Sequence, residues 1–190
     1  MTRCSSCPSW WGASALSEDI IIPAIAEDGS LFPIEKMEAH RIAQQHLAIS
    51  VFVFSGTKLL IQQRAAGKYH CPGRWANTCC SHPHWQESPE DAALRRVEEE
   101  LGFTVPLGKT AIIDYRADVG GGLTENERVH VFKGEADEAT LATHLNPEEV
   151  AATRWVEVAD LPRLLDEEAD SLCPWFAIYI SRWPELNLGI

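Results

Sequence analysis

From His46 to Phe54 the chain reads HLAISVFVF, an almost unbroken run of β-branched, aromatic and aliphatic residues. Such a run predicts a buried strand. Ser55-Gly56-Thr57-Lys58 supplies a turn, and Leu59 to Gln63 (LLIQQ) a returning strand, so the two predict a hairpin. Residues 64–88 show no periodicity and are rich in Gly, Pro, His, Cys and Trp. That stretch predicts a long loop, and loops of this length inside compact domains are more often functional than idle. The next segment has the best-marked helix signals in the chain. Ser88 can cap it, Pro89 suits its first position, and Glu90 and Asp91 put negative charge at the positive end of the helix dipole. Ala93, Leu94, Val97 and Leu101 follow helical spacing and Gly102 offers a left-handed stop, so a helix is expected from Pro89 to Leu101. Further strands are expected near Ala111–Arg116, Arg128–Lys133 and Thr153–Val158, and helices near Ala159–Glu167 and Pro174–Trp183. Strands with few helices and no βα repeat predict an α+β domain.

Length and composition narrow this further. At 190 residues, 45% hydrophobic and 23% charged, the chain fits a single domain, expected over residues 17–190, with residues 1–16 as a tail. No apolar run approaches the ~20 residues of a membrane span, and the N-terminus lacks the continuous apolar core of a secretion signal. A cytoplasmic setting follows, in which the six cysteines are thiols and the Cys4-Ser-Ser-Cys7 spacing, with no second Cys/His pair beside it, is incidental. Sixteen Lys and Arg against 28 Asp and Glu leave a net charge of −12, which repels nucleic acid and anionic membranes as partners. An anionic substrate would therefore need a local metal or a small basic cluster.

The helix supplies a first chemical motif. Arg95-Arg96-Val97-Glu98-Glu99-Glu100-Leu101-Gly102-Phe103 stands downstream of Glu87, which lies eight positions before Arg95. Clustered carboxylates on a loop and helix are hard oxygen ligands for magnesium, which in turn grips a diphosphate. The arrangement resembles the Nudix box, with two departures. Ser81 stands where the pattern has its first Gly, and Arg96 replaces the Glu that follows Arg95. Exchanging a glutamate for a cation lowers metal-binding charge and favours holding an intact diphosphate, so the box points to a relative that does not hydrolyse.

The preceding loop carries the second motif, Trp75-Ala-Asn-Thr-Cys-Cys-Ser-His-Pro, in which Cys80 lies two residues before His82. Downstream, Tyr115 precedes Glu125-Asn126-Glu127, whose two carboxylates share one side if the segment is extended, as a shared metal requires. Taken alone, such a pair in a charged segment is a solvated edge. Taken with the box and the N-x-x-C-x-H-P context of Cys80, the chain resembles the type I isopentenyl-diphosphate isomerases over roughly residues 17–183.

That resemblance implies a Nudix fold, a mixed sheet sandwiched by helices, and an activity. The family interconverts isopentenyl diphosphate and dimethylallyl diphosphate in isoprenoid biosynthesis by adding and removing protons. Carried over residue by residue, it makes Cys80, Glu127 and Tyr115 catalytic. It makes His40, His46, His82, Glu125 and Glu127 ligands of one divalent ion, and Glu100 the carboxylate that holds a diphosphate-bound Mg2+. Three imidazoles and two carboxylates suit zinc, manganese or iron better than magnesium, and Mn2+, Zn2+ and Mg2+ are the candidates for that site. Lys36, Arg64, Lys68 and Arg96 would face the diphosphate, and Trp175 the hydrocarbon end of a small isoprenyl diphosphate. Two other readings compete. A Nudix hydrolase leaves Cys80, the three histidines and the Glu125/Glu127 pair unexplained; a zinc-stabilised binding module lacks paired C-x2-C spacing and has no use for the helix.

Overall fold

The computed structural model describes residues 20–189, so the tail read over residues 1–16, with Cys4 and Cys7, lies outside the described residues. Among the described residues nine strands form one mixed sheet network. Strands β1 (Ile21–Ile25) and β2 (Leu31–Glu35) make a hairpin that leads into a short helix, α1 (Lys36–Arg41). The long central strand β3 (His46–Ser55) turns back into β4 (Lys58–Arg64), as expected. The following loop contains two short strands, β5 (Trp75–Ala76) and β6 (Cys79–Ser81), the second paired with β3. Helix α2 (Pro89–Leu101) precedes the hairpin β7 (Leu107–Gly120) and β8 (Leu123–Glu135). β9 (Val150–Glu157), α3 (Leu161–Glu168) and α4 (Pro174–Ser181) complete the domain.

The apolar run of β3 is explained by burial on both faces. Ile49, Val51 and Val53 pack with Ala92, Ala93, Val97 and Leu101 of α2. The alternate residues Ala48, Phe52 and Phe54 pack instead with Val129 and Val131 of β8 and with Phe176 and Tyr179 of α4. Helices therefore cover both faces of the sheet, the expected arrangement.

Helix α2 has the ends that its sequence demands. Ser88 Oγ accepts the Asp91 N–H at 3.0 Å, and Gly102 is left-handed with φ 71°. One expected core residue is misplaced: Leu94 is 41% exposed, and Ala92 takes its place in the interior. The buried stripe runs through Ala93, Val97 and Leu101, four residues apart, and Leu94 lies one helical step around from it. The strands around residues 111–116 and 128–133 are longer than expected and meet at Gly120, Gly121 and Gly122, all with positive φ.

Strand pairing gathers polar side chains from separate elements. β3 and β8 run parallel, with His46 beside Glu127, and β7 sets Tyr115 opposite the same Glu127. β6 lies antiparallel to β3 with Cys80 opposite Ser50. Residues far apart in sequence are thus delivered to one end of the central strands.

Candidate active site

The strand phase explains how carboxylates reach the interior. On β8, Leu123, Glu125, Glu127, Val129 and Val131 are all buried, so the two glutamates occupy positions in phase with the apolar face. His46 and Ser50 lie on the corresponding face of β3 and are fully buried. α1 adds His40, also fully buried, and the turn after β6 adds His82.

These side chains form a nest. One ligand atom each from His40, His46, His82 and Glu125 lies within 4.8 Å of all the others. His40 Nε2 is 3.0 Å from Glu125 Oε2, and His46 Nε2 is 3.2 Å from His82 Nε2. Glu127 borders the nest, its Oε1 lying 3.0 Å from His82 Nε2 and 3.8 Å from His46 Nε2.

Outer hydrogen bonds orient the rings of the nest. His40 Nδ1 donates to the Lys36 carbonyl at 2.6 Å and His46 Nδ1 to the Gln44 carbonyl at 2.8 Å. A carbonyl can only accept, so each neutral ring keeps its proton on Nδ1 and turns an Nε2 lone pair inward. His40 Nε2 and Glu125 Oε2 are buried without a hydrogen-bond partner despite their proximity. Inward-facing lone pairs of nitrogen and oxygen, gathered out of water, call for a cation between them, and a divalent ion fits this donor set.

Electrostatics agree. Burial and the nearby Lys36 charge keep His82 well below the usual imidazole range, so its ring stays neutral. Burial and Glu127 oppose ionisation of Glu125, yet the flanking imidazoles of His40 and His70 hold its carboxyl down at about 2.

Glu127, Tyr115 and Cys80 adjoin the nest. Burial disfavours ionisation of Glu127, but the adjacent His46 imidazole, together with the Tyr115 hydroxyl, keeps it below its ordinary value. Tyr115 donates to Glu127 Oε2 at 2.5 Å. Burial pushes the Cys80 thiol up to about 12, so it carries its proton at neutral pH. That proton points at Asn77 Oδ1, 2.9 Å away. Asn77 Nδ2 donates to Ser50 Oγ at 2.9 Å, and Ser50 Oγ lies 3.1 Å from Cys80 Sγ, so its hydroxyl closes a three-membered ring of hydrogen bonds.

Cys80, Tyr115, Glu125, Glu127 and Trp175 line one cavity together with Lys36, Arg64, Lys68, Arg96 and Glu100. His82 also reaches its wall, while His40 and His46 stand behind it. Of the helix carboxylates only Glu100 turns inward; Glu98 and Glu99 are exposed, and Glu87 is clamped by Arg95 through two hydrogen bonds of 2.7 Å. Arg96 bonds Glu100 at 2.6 Å, and Gln62 donates to the other Glu100 oxygen at 3.0 Å. Trp175 lies 5.3 Å from the Arg64 guanidinium, joining the apolar and cationic ends of the cavity.

Sequence reasoning missed several participants. Glu149 pairs with Lys68 at 2.5 Å and with Arg96 at 3.3 Å, and lies in a stretch without any motif. Asn77 stands inside the Cys80 motif, yet its role needs β3 beside it. His70 and Ser50 carry no local signal of their own, although His70 falls in the loop singled out for its length.

A model of the NUDIX domain matches residues 44–176. The chain is 50% identical over 170 residues to the isopentenyl-diphosphate Delta-isomerase of Cereibacter sphaeroides (strain ATCC 17029), covering 89% of this chain and 95% of that protein. It is 48% identical over 164 residues to the isopentenyl-diphosphate Delta-isomerase of Dinoroseobacter shibae, covering 85% and 92%. Among solved structures, DR0079 from Deinococcus radiodurans superposes with a TM-score of 0.67 at 15% identity, over 85% of this chain and 98% of that one. The MutT protein of Methanosarcina mazei follows the same fold with a TM-score of 0.58 at 18% identity, over 74% and 93%.

Proposed function

Because this chain belongs to the Nudix family and, within it, to the isopentenyl-diphosphate Delta-isomerases, we infer that it interconverts isopentenyl and dimethylallyl diphosphate. The observation that carries this reading is that Cys80 and the Tyr115–Glu127 pair open onto one cavity with the basic side chains. An unactivated alkene needs a proton added at one carbon and another removed nearby, by groups shielded from water. Cys80 holds a proton at rest and Glu127 holds none, so the pair starts with one proton between its two members. In that state Cys80 donates and Glu127 accepts; a reaction in which Glu127 donates begins once it has gained a proton, with Tyr115 placed to hold or relay it. A cationic intermediate would face Trp175, whose π face contributes ~2 kcal/mol or more in a dry site.

Lys36, Arg64, Lys68 and Arg96 are proposed to hold the diphosphate without cleaving it. Glu100 has a donor on each oxygen, but a carboxylate keeps further lone pairs, so it is also a fitting ligand for a diphosphate-bound Mg2+. His40, His46, His82 and Glu125, with Glu127 alongside, would hold the second ion, Mn2+, Zn2+ or Mg2+. When bound, it supplies the positive charge that keeps the carboxylates ionised in a dry pocket. A reducing compartment such as the cytoplasm suits a reaction that depends on a free thiol.

Incubation with isopentenyl diphosphate, magnesium, manganese and a thiol reductant in heavy water is expected to yield the allylic isomer carrying deuterium. Cys80→Ala should lower that rate by roughly 10²–10⁴-fold while inorganic pyrophosphate still binds. Near-normal turnover in the variant removes Cys80 from the chemistry. Phosphate release without isomer formation favours the hydrolase reading instead.

A further inference from the structure

The loop after β4 brings one more buried imidazole to the site. His70 is 6% exposed and its ring touches charged groups on both sides. Arg64 Nη2 lies 2.9 Å from His70 Nδ1, and the same guanidinium donates to the His70 carbonyl at 3.2 and 3.3 Å. A guanidinium has no lone pair to offer, so Nδ1 must accept and the ring proton sits on Nε2. That Nε2–H donates to Glu125 Oε1 at 2.6 Å. The other Glu125 oxygen, Oε2, is the one that faces His40 and His46, at 3.0 and 3.8 Å.

The ring has no freedom to turn away. It stacks on Tyr69 with centroids 4.2 Å apart and leans on Trp175 at 5.3 Å. Nor is it a fourth histidine ligand: Nδ1 is occupied by Arg64 and Nε2 by the Glu125 oxygen turned away from the nest.

We propose that His70 is a positioning residue: it grips one oxygen of Glu125 so that the other is aimed at the metal, and ties that carboxylate to Arg64 at the diphosphate seat. A carboxylate with one oxygen held loses its freedom to rotate, and so does not lose it again on binding the ion. The Arg64 charge behind the ring also strengthens the Nε2–H as a donor. This inference rests on the metal-site reading of the histidine nest.

The test titrates Mn2+ alone into the chelator-stripped full chain and follows binding by calorimetry. His70→Phe keeps an aromatic ring between Tyr69 and Trp175 but removes both hydrogen bonds. His70→Gln keeps a donor that reaches Glu125 and an acceptor for Arg64. The dissociation constant is expected to rise about 10- to 100-fold in His70→Phe and to return most of the way in His70→Gln. A filler of space alone would lower the melting temperature of His70→Phe and leave Mn2+ affinity unchanged, and that result overturns the proposal. Should His70→Phe fail to fold, His70→Asn replaces it: its shorter amide reaches Arg64 but not Glu125, so weak Mn2+ binding supports the proposal and wild-type binding sinks it. A wild-type chain that binds Mn2+ but makes no isomer overturns the isomerase reading and leaves His70 standing. A wild-type chain that binds no Mn2+ overturns the metal site and this inference with it.

Discussion

Lys36 shows how a single residue's surroundings set its working range. Its ammonium lies 5.0 Å from the Tyr69 ring, on the cavity wall it shares with Lys68 and Arg64. Burial, with the Lys68 charge, pulls it down to about 8. The charged form is therefore lost as pH rises through about 8, which removes one attraction for a diphosphate. Because kcat/KM reports groups of the free enzyme, it is expected to fall above that pH mainly through KM, and Lys36→Arg should move the fall to higher pH. An unchanged profile in Lys36→Arg assigns the fall to another group. Some of this residue chemistry is legible in the sequence: Lys36, His40, His46 and the Glu125/Glu127 pair are placed at the site by resemblance. The buried phase of β8 offers a physical reason too, since two carboxylates in register with Leu123, Val129 and Val131 are forced inward. The Asn77–Ser50–Cys80 ring is not legible, because it exists only where β6 and β3 lie side by side.

Among the elements, α2 can be read to the residue because its signals are local: a cap, a proline and a terminal glycine act within a few positions. Gly102 has a further duty that local signals do not reveal. A Cβ there would meet the His144 carbonyl oxygen at 2.5 Å and the His144 Cβ at 2.6 Å. The segment it would push against is anchored to the helix end through His144 N to Leu101 O at 2.8 Å and Asn146 N to Glu100 O at 2.9 Å. Gly102→Ala combines that collision with a positive φ and is expected to cost about 2–4 kcal/mol. The melting temperature should drop by roughly 5–15 °C. A drop of only a degree or two in a thermal scan would mean that the 144–149 segment yields freely. The β1–β2 hairpin, like the short helix α1, is an element that sequence reasoning missed. Pro23 and Pro33 face each other in its register, and a proline in each strand is a reason to discount both from sequence.

For the whole molecule, the −12 charge is answered by a small cationic wall rather than by a change in overall sign. That wall is kept together by its own carboxylates, Glu100 and Glu149, which pair with Arg96 and Lys68. The nest draws on α1, β3, β8 and the turn after β6, so an ion there cross-links segments that are distant in the chain. Binding to the folded state alone stabilises it by about 2.7 kcal/mol at a hundredfold excess over the dissociation constant. Adding Mn2+ to chelator-treated protein should accordingly raise the melting temperature by roughly 5–10 °C, and Glu125→Gln should abolish most of that gain. An equal shift in the variant places the stabilising ion elsewhere. Among the described residues, no helix is long and apolar enough to cross a membrane.

By itself the sequence determined the ends of α2, the burial of β3, the α+β class and, through its motifs, which residue types could meet at a diphosphate site. Those features depend on contacts within a turn or a strand, and a short window contains their causes. Tertiary structure decided that His46 lies beside Glu127, that two imidazoles turn lone pairs inward, and that Cys80 rests with its proton on Asn77. It also brought Glu149 and His70 to the site from stretches without a motif. Such choices belong to register and to the pairing of buried charge, which come into being only when distant segments are packed against one another out of water.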